Sequence, residues 1–312
     1  MCFALNLIPQ CLAAASNAVG SDHFSDAELF SRYPVIAEAA MVLFTLGLIC
    51  DLYLLFRYAR PAPTNDPASP VSTLKIDPKP WGLRDLWLAA GALVLVLVAG
   101  DGIVMLALKL AHLDEDASLP WLLVTDMVLR LMILCGFIGF FRRRSIDWQQ
   151  ALGLRRNSPL RAISSGVVFF LAVLPPLAVA FAVSSKLCQL LGIPDDPQPV
   201  ADILATTDSK AVVALIAGFA VAVAPVFEEF FFRGFAYPAL KQRWGTWQAL
   251  LTVSIVFAAI HFHVPSLGPL VALAIGLGLA YELTGSLLAP ITMHALFNAT
   301  NVAMLLYVRA HP

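Results

Sequence analysis

The chain consists of long apolar runs separated by short polar stretches. Windows of roughly 20 apolar residues, enough to cross ~30 Å of hydrocarbon, fall near residues 35–57, 86–111, 120–141, 161–184, 211–238, 247–263, 268–284 and 288–308. Hydrocarbon offers the backbone no hydrogen-bond partners, so only helices or closed barrels span it, and these runs are continuous rather than alternating. The predicted fold is all-α, a polytopic transmembrane helical bundle of about eight spans. Residues 1–34 begin with a mildly apolar, small-residue-rich stretch from Met1 to Val19 that lacks the basic start of a secretory signal. This segment is expected to form an interfacial or partly buried helix, or a degenerate ninth element.

Charge refines the layout. Arg57, Arg60, Lys75, Lys79 and Arg84 lie between the first two spans, and Arg142, Arg143, Arg144, Arg155, Arg156 and Arg161 between the third and fourth. The positive-inside rule places those loops in the cytoplasm. Lys241 and Arg243 agree, and the acidic Asp114, Glu115 and Asp116 fall on the opposite side, so that both termini lie outside. Pro61, Pro63, Pro67, Pro70, Pro78 and Pro80 mark an extended cytoplasmic linker over 61–84. It divides a first span, 35–60, from spans two to four in 85–210 and a core of four further spans in 211–308. The stretch around Trp148, Leu152 and Leu154 mixes apolar and basic residues as an interfacial helix would. No internal repeat relates the two halves.

Composition agrees with a membrane setting. The chain is 59% hydrophobic and 13% charged, with a mean hydropathy of +0.79, against about 45–50% apolar residues in a typical soluble domain. A net charge of −1 without a basic face gives no case for nucleic acid. Cys2, Cys11, Cys50, Cys135 and Cys188 are scattered without a CxxC pair and read as small hydrophobes.

The candidate chemistry lies in the last four spans. AVAPVFEEFFFRG puts Glu228, Glu229 and Arg233 inside an apolar run, where each charge costs roughly 2.5–3.5 kcal/mol on insertion scales. Glu229 and Arg233 are four apart and can pair on one helical face. Glu228 lies about 100° away around the helix, poorly placed for the same arginine and suited to general-base work. Pro225 would loosen the helix just before it. The following span carries Phe257 and His261 in FAAIHFHVPSL, with His263 two residues on. Residues two apart point in different directions, so His261 and His263 are not expected to share a role; the bland reading of each is helix packing or capping. HALFN in the last span sets His294 and Asn298 on one face. Interhelical hydrogen bonding would explain that pair alone. Together the three segments hold a general base, a second base or orienter, and two donors for an oxyanion. Asp126 with Arg130 reads as an i, i+4 pair, and Asp51, Lys109 and Glu282 sit near span ends within snorkelling reach. Asp101, between two glycines, is read as structural with them.

EEFFFR, FAAIH and HALFN together resemble the ordered motifs EExxxR, FxxxH and HxxxN of the CAAX prenyl protease and bacteriocin-processing (CPBP, Abi) family of intramembrane proteases. The resemblance covers roughly residues 211–308, and no signature position departs from it. It implies that Glu228 and His261 activate a water, that His294 and Asn298 stabilise the oxyanion, and that Glu229, Arg233 and Phe257 support them. The implied activity is an intramembrane endopeptidase acting near the C-terminus or leader of a membrane-associated protein or peptide. A metal-free, glutamate-type site is favoured and no cofactor is expected; the alternative is a zinc site of Glu228, His261 and His294, without HExxH spacing to support it. Two other readings remain. A proton-coupled transporter would spread polar residues over repeated halves, and a catalytically silent scaffold of the family would have lost a motif residue. The expected setting is a multi-pass protein of a cell membrane, a prokaryotic inner membrane being favoured.

Overall fold

The computed structural model describes residues 33–58, 76–112, 115–194 and 198–311. The expectations for the N-terminal segment before Tyr33 and for most of the Pro-rich linker lie outside those residues. Every described regular element is helical. Helix α1 is Pro34–Tyr58, α2 Leu83–Leu110 and α3 Glu115–Arg143, and a single turn α4, Trp148–Ala151, leads to α5, Pro159–Leu191. Helix α6 is Pro199–Thr206. The fifth span follows as α7, Lys210–Gly218, a π segment Phe219–Val223, α8 Ala224–Glu229, a second π segment Phe230–Ala236, and α9 Tyr237–Trp244. Helices α10 Thr246–Ala259, α11 Leu267–Thr284 and α12 Leu288–Ala310 complete the chain.

Seven of the described helical stretches are long and apolar enough to cross a membrane, in keeping with a polytopic bundle of about eight spans. The predicted sixth span is α10, shorter at 14 residues, so the chain turns at Ile260 and His261 before a full crossing. The stretch near Trp148 also differs from the interfacial helix expected of it. It helical content is one turn, capped by Asp147, which accepts from the backbone N–H groups of Gln149 and Gln150. Leu152 then turns into the core at 1% exposure instead of lying along a lipid surface.

Helix α5 is the central post. Ser158 caps its start by accepting from the Arg161 N–H, Pro159 occupies the first turn where no N–H is needed, and Gly192 in the left-handed region ends it. Its 33 residues extend about 50 Å, and α1, α11 and α12 all pack along it. Phe169, Phe170, Val173 and Leu177 meet Leu273, Leu277, Met293 and Phe297 there. A second core gathers around the fifth span. Trp81 stacks on Phe235 with centroids 5.4 Å apart, and Phe137 meets Phe235 edge-on at 4.9 Å. By contrast α2 turns Val94, Leu95 and Val98 outward, as a lipid-facing helix does.

The end of the bundle bearing the arginines is tightly knit. The Leu287 N–H donates to the Leu152 carbonyl at 3.1 Å, and Asn157 Nδ2 donates to the Thr284 carbonyl at 2.9 Å. Gly153 and Gly285 face each other in this junction, both with positive φ, and a Cβ on Gly153 would overlap the Gly285 carbonyl oxygen. Only glycine satisfies both the backbone conformation and the approach. The junction sets where α12 enters the bundle, and α12 carries His294 and Asn298.

Candidate active site

The fifth span is positioned by two departures from α-helical register. In the first π segment the Ala224 N–H reaches back five residues to the Phe219 carbonyl. The same register would pair the Ala220 carbonyl with residue 225, which is a proline and has no N–H. A buried carbonyl must find a partner elsewhere, and Asn298 Nδ2 donates to it at 2.8 Å. Pro225 thus creates the acceptor that ties α12 to the fifth span. The acceptor also fixes the orientation of the Asn298 amide, since only the nitrogen can donate to a carbonyl. The second π segment follows Glu229 directly; its Tyr237 N–H reaches the Phe232 carbonyl. Single-turn π segments of this kind recur at functional sites.

Glu228, Glu229, Arg233, His294 and Asn298 are all buried, none more than 2% exposed. Arg233 donates to Glu229 Oε1 at 2.9 Å and, through its other terminal nitrogen, to the Ala274 carbonyl on α11 at 2.9 Å. His294 Nδ1 lies 2.9 Å from the same Glu229 oxygen. A carboxylate can only accept, so Nδ1 carries the proton in this bond. The bond turns the other face of the ring toward Glu228, with His294 Nε2 3.9 Å from Glu228 Oε2. Glu229 therefore holds Arg233 and His294 at once, and Glu228 stands on the free side of the histidine.

His261 sits in the turn just beyond α10, 2.6 Å through Nδ1 from the Phe257 carbonyl. That carbonyl also only accepts, so the Nδ1 proton is committed and the lone pair of a neutral ring falls on Nε2. His261 Nε2 is buried and makes no hydrogen bond among the described residues. Glu228 and His294 both act on this ring electrostatically. Phe257, itself fully buried, is the common wall of the site: its ring centroid is 5.0 Å from that of His261, 5.9 Å from that of His294, and 4.8 Å from the Arg233 guanidinium carbon. Phe262 adopts φ +50° and is 93% exposed. This left-handed residue reverses the chain, so that His261 stays at the site while His263 turns away to Ser266 Oγ at 2.7 Å.

The structure thus brings together Glu228, Glu229, Arg233, Phe257, His294 and Asn298, with His261 at their edge. Of the acidic and basic residues read as structural, Asp126, Arg130 and Glu282 are engaged in other ways. Asp126 and Arg130 form a two-bond pair at 2.8 and 3.0 Å. Glu282 does not snorkel. It is 3% exposed, accepts from Tyr237 and from the Ile76 N–H at 2.8 and 3.2 Å, and pairs with Lys241. Position near a span end suggested solvent access for Glu282, but packing of the linker over it removes that access. The Ala220 carbonyl and the Ala274 carbonyl were not foreseen, because backbone acceptors leave no composition signal; Pro225 was the only visible trace of the first.

The zinc alternative requires Glu228, His261 and His294 to converge on one ion. Among the described residues no three His, Cys, Asp or Glu side chains are grouped as metal ligands would be, and the Nδ1 bonds of both histidines leave Nε2 as the nitrogen that would face an ion.

Residues 210–300 match the family model described as type II CAAX prenyl endopeptidase Rce1-like, in agreement with the family that the three motifs resemble. Every residue of the site lies inside the matched segment. No curated protein and no solved structure matches the chain. The match supports a protease of the intramembrane CAAX type in general terms, and the seven described helices able to cross a membrane suit a multi-pass membrane protein.

Proposed function

We propose that the chain is a glutamate-type intramembrane endopeptidase that cleaves a peptide bond near the C-terminus or leader of a membrane-associated protein or peptide. The observation that carries this reading is the shared carboxylate of Glu229. By holding His294 at Nδ1, it sets Nε2 beside Glu228, so that a group binding between them meets a base on one side and a donor on the other.

Glu228 removes a proton from a water that His261 Nε2 orients through its lone pair. The water oxygen attacks the scissile carbonyl carbon, and the carbonyl electron pair moves onto its oxygen. His294 Nε2 and the second amide hydrogen of Asn298 stabilise that oxyanion. Collapse of the intermediate breaks the C–N bond, and the proton held by Glu228 passes to the leaving amine. For Nε2 to donate, His294 carries protons on both nitrogens. The two carboxylates of Glu228 and Glu229 are then balanced by Arg233 and the imidazolium, leaving the buried cluster neutral. Burying a balanced set costs far less than burying an unpaired charge. The steps use the chain's own groups throughout.

The test is cleavage of a tail peptide by the purified protein in detergent, for the wild type and Glu228→Gln, each with and without a strong zinc chelator. Activity lost in the variant and retained under chelator supports the proposal. Equal activity in Glu228→Gln overturns the site assignment, and loss under chelator overturns the metal-free mechanism.

A further inference from the structure

At the arginine-rich end of the bundle, away from the candidate active site, lies a cavity of about 420 Å3 lined in part by Asp77, Lys79, Asp147, Arg155 and Arg156. Its walls are fixed. The Ile76 N–H is held by the buried Glu282, and Gln242 Nε2 donates to the Lys79 carbonyl at 3.3 Å. Those bonds set the segment that carries Asp77 and Lys79. The opposite wall is the glycine junction, where the Arg156 side chain lies close across Gly285.

The charges around this cavity do not cancel. Asp147 is engaged twice over, capping α4 and pairing with Arg155 at 3.0 Å. Asp77 is 3.9 Å from Arg156 and largely exposed. The Lys79 ammonium has no hydrogen bond or ion pair among the described residues, although the side chain is only half exposed to solvent. Burial holds its pKa below the usual lysine range; Asp77 opposes that shift, and Arg156 and Lys241 add to it. A cation in this position gains from an anion with several acceptor oxygens, which Lys79, Arg155 and Arg156 can contact together.

We propose that this cavity binds the phosphate group of an anionic ligand, through Lys79, Arg155 and Arg156. The position favours a phospholipid headgroup as the source. The cavity borders the start of α5, where Leu160 is 78% exposed on a membrane-crossing helix, and basic pockets at the ends of spans suit anionic lipids. The proposal does not depend on the peptidase reading.

The experiment compares thermal unfolding of the full chain in nanodiscs of phosphatidylcholine alone, phosphatidylcholine with phosphatidylglycerol, and phosphatidylcholine with added inorganic phosphate. The wild-type midpoint is expected to rise by about 2–4 °C with phosphatidylglycerol. Lys79→Gln should lose most of that rise, read against its own midpoint in phosphatidylcholine alone. Arg143→Gln, which removes an exposed charge outside the cavity, should keep it. A comparable rise with inorganic phosphate would support the same phosphate site with a free anion as its source. The proposal is overturned if neither anion shifts the wild type, if Lys79→Gln keeps the full rise, or if Arg143→Gln loses as much as Lys79→Gln.

Discussion

Glu229 Oε1 and His294 Nδ1 stand 2.9 Å apart across the interface between the fifth span and α12. The two residues are 65 positions apart in the chain, and this contact turns a pair of motifs into one site. Because the same oxygen also accepts from Arg233, Glu229 is predicted to serve as the keystone of the cluster and not as its base.

Glu229→Gln removes the charge that both Arg233 and His294 face, and leaves a buried arginine without its counterion. Such a loss costs about 3–5 kcal/mol. Thermal unfolding in detergent should show a large drop in the midpoint, whereas Glu228→Gln, which keeps the Arg233 and His294 bonds to Glu229, should show a smaller one. Equal midpoints for the two variants would show that the carboxylates are not divided in this way.

Asn298 has two duties, one to the Ala220 carbonyl and one to the oxyanion. The tether is worth about 0.5–1.5 kcal/mol; an oxyanion donor is worth about 10²–10³ in kcat. Asn298→Ala should therefore lower activity by that factor with only a modest fall in the unfolding midpoint. A loss of kcat no greater than the change in stability explains would leave Asn298 as a tether alone.

Gly153→Ala places a methyl group against the Gly285 carbonyl in a left-handed backbone. The strain exceeds about 1 kcal/mol and displaces the junction from which α12 starts. The expected result is a lower unfolding midpoint together with reduced peptidase activity, although the substitution lies outside all three motifs. Unchanged activity at a lowered midpoint would show that α12 keeps its place without the junction.

Lys79 gives a pH signature. A lysine whose folded pKa lies below its unfolded value binds fewer protons when folded, so stability rises with pH through the interval between the two. Below that interval the burial of the charge is a fixed cost. In phosphatidylcholine near neutral pH, Lys79→Gln should raise the midpoint, and the gain should shrink as pH approaches the ordinary lysine value of 10.5. A pH-independent difference between the two proteins would show that Lys79 is not desolvated.

The helical, membrane-spanning character of the chain was determined by the sequence alone, because a continuous apolar run of about 20 residues has few other folds open to it. The same holds for the pairing of Glu229 with Arg233, which needs only helical spacing. Tertiary structure decided what lies between helices. Pro225 announced a break in the fifth span, but the Ala220 carbonyl that it leaves to Asn298 depends on a π register and on where α12 packs. Glu282 read as a span-end residue until the linker segment at Ile76 closed over it. The length of α10, and with it the turn that places His261 at the edge of the site, was likewise invisible in hydropathy, since the apolar run continues through Ile260. Spacing along one helix is local and periodic; the register between helices depends on side-chain and backbone contacts among residues far apart in the chain, which no single window of sequence contains.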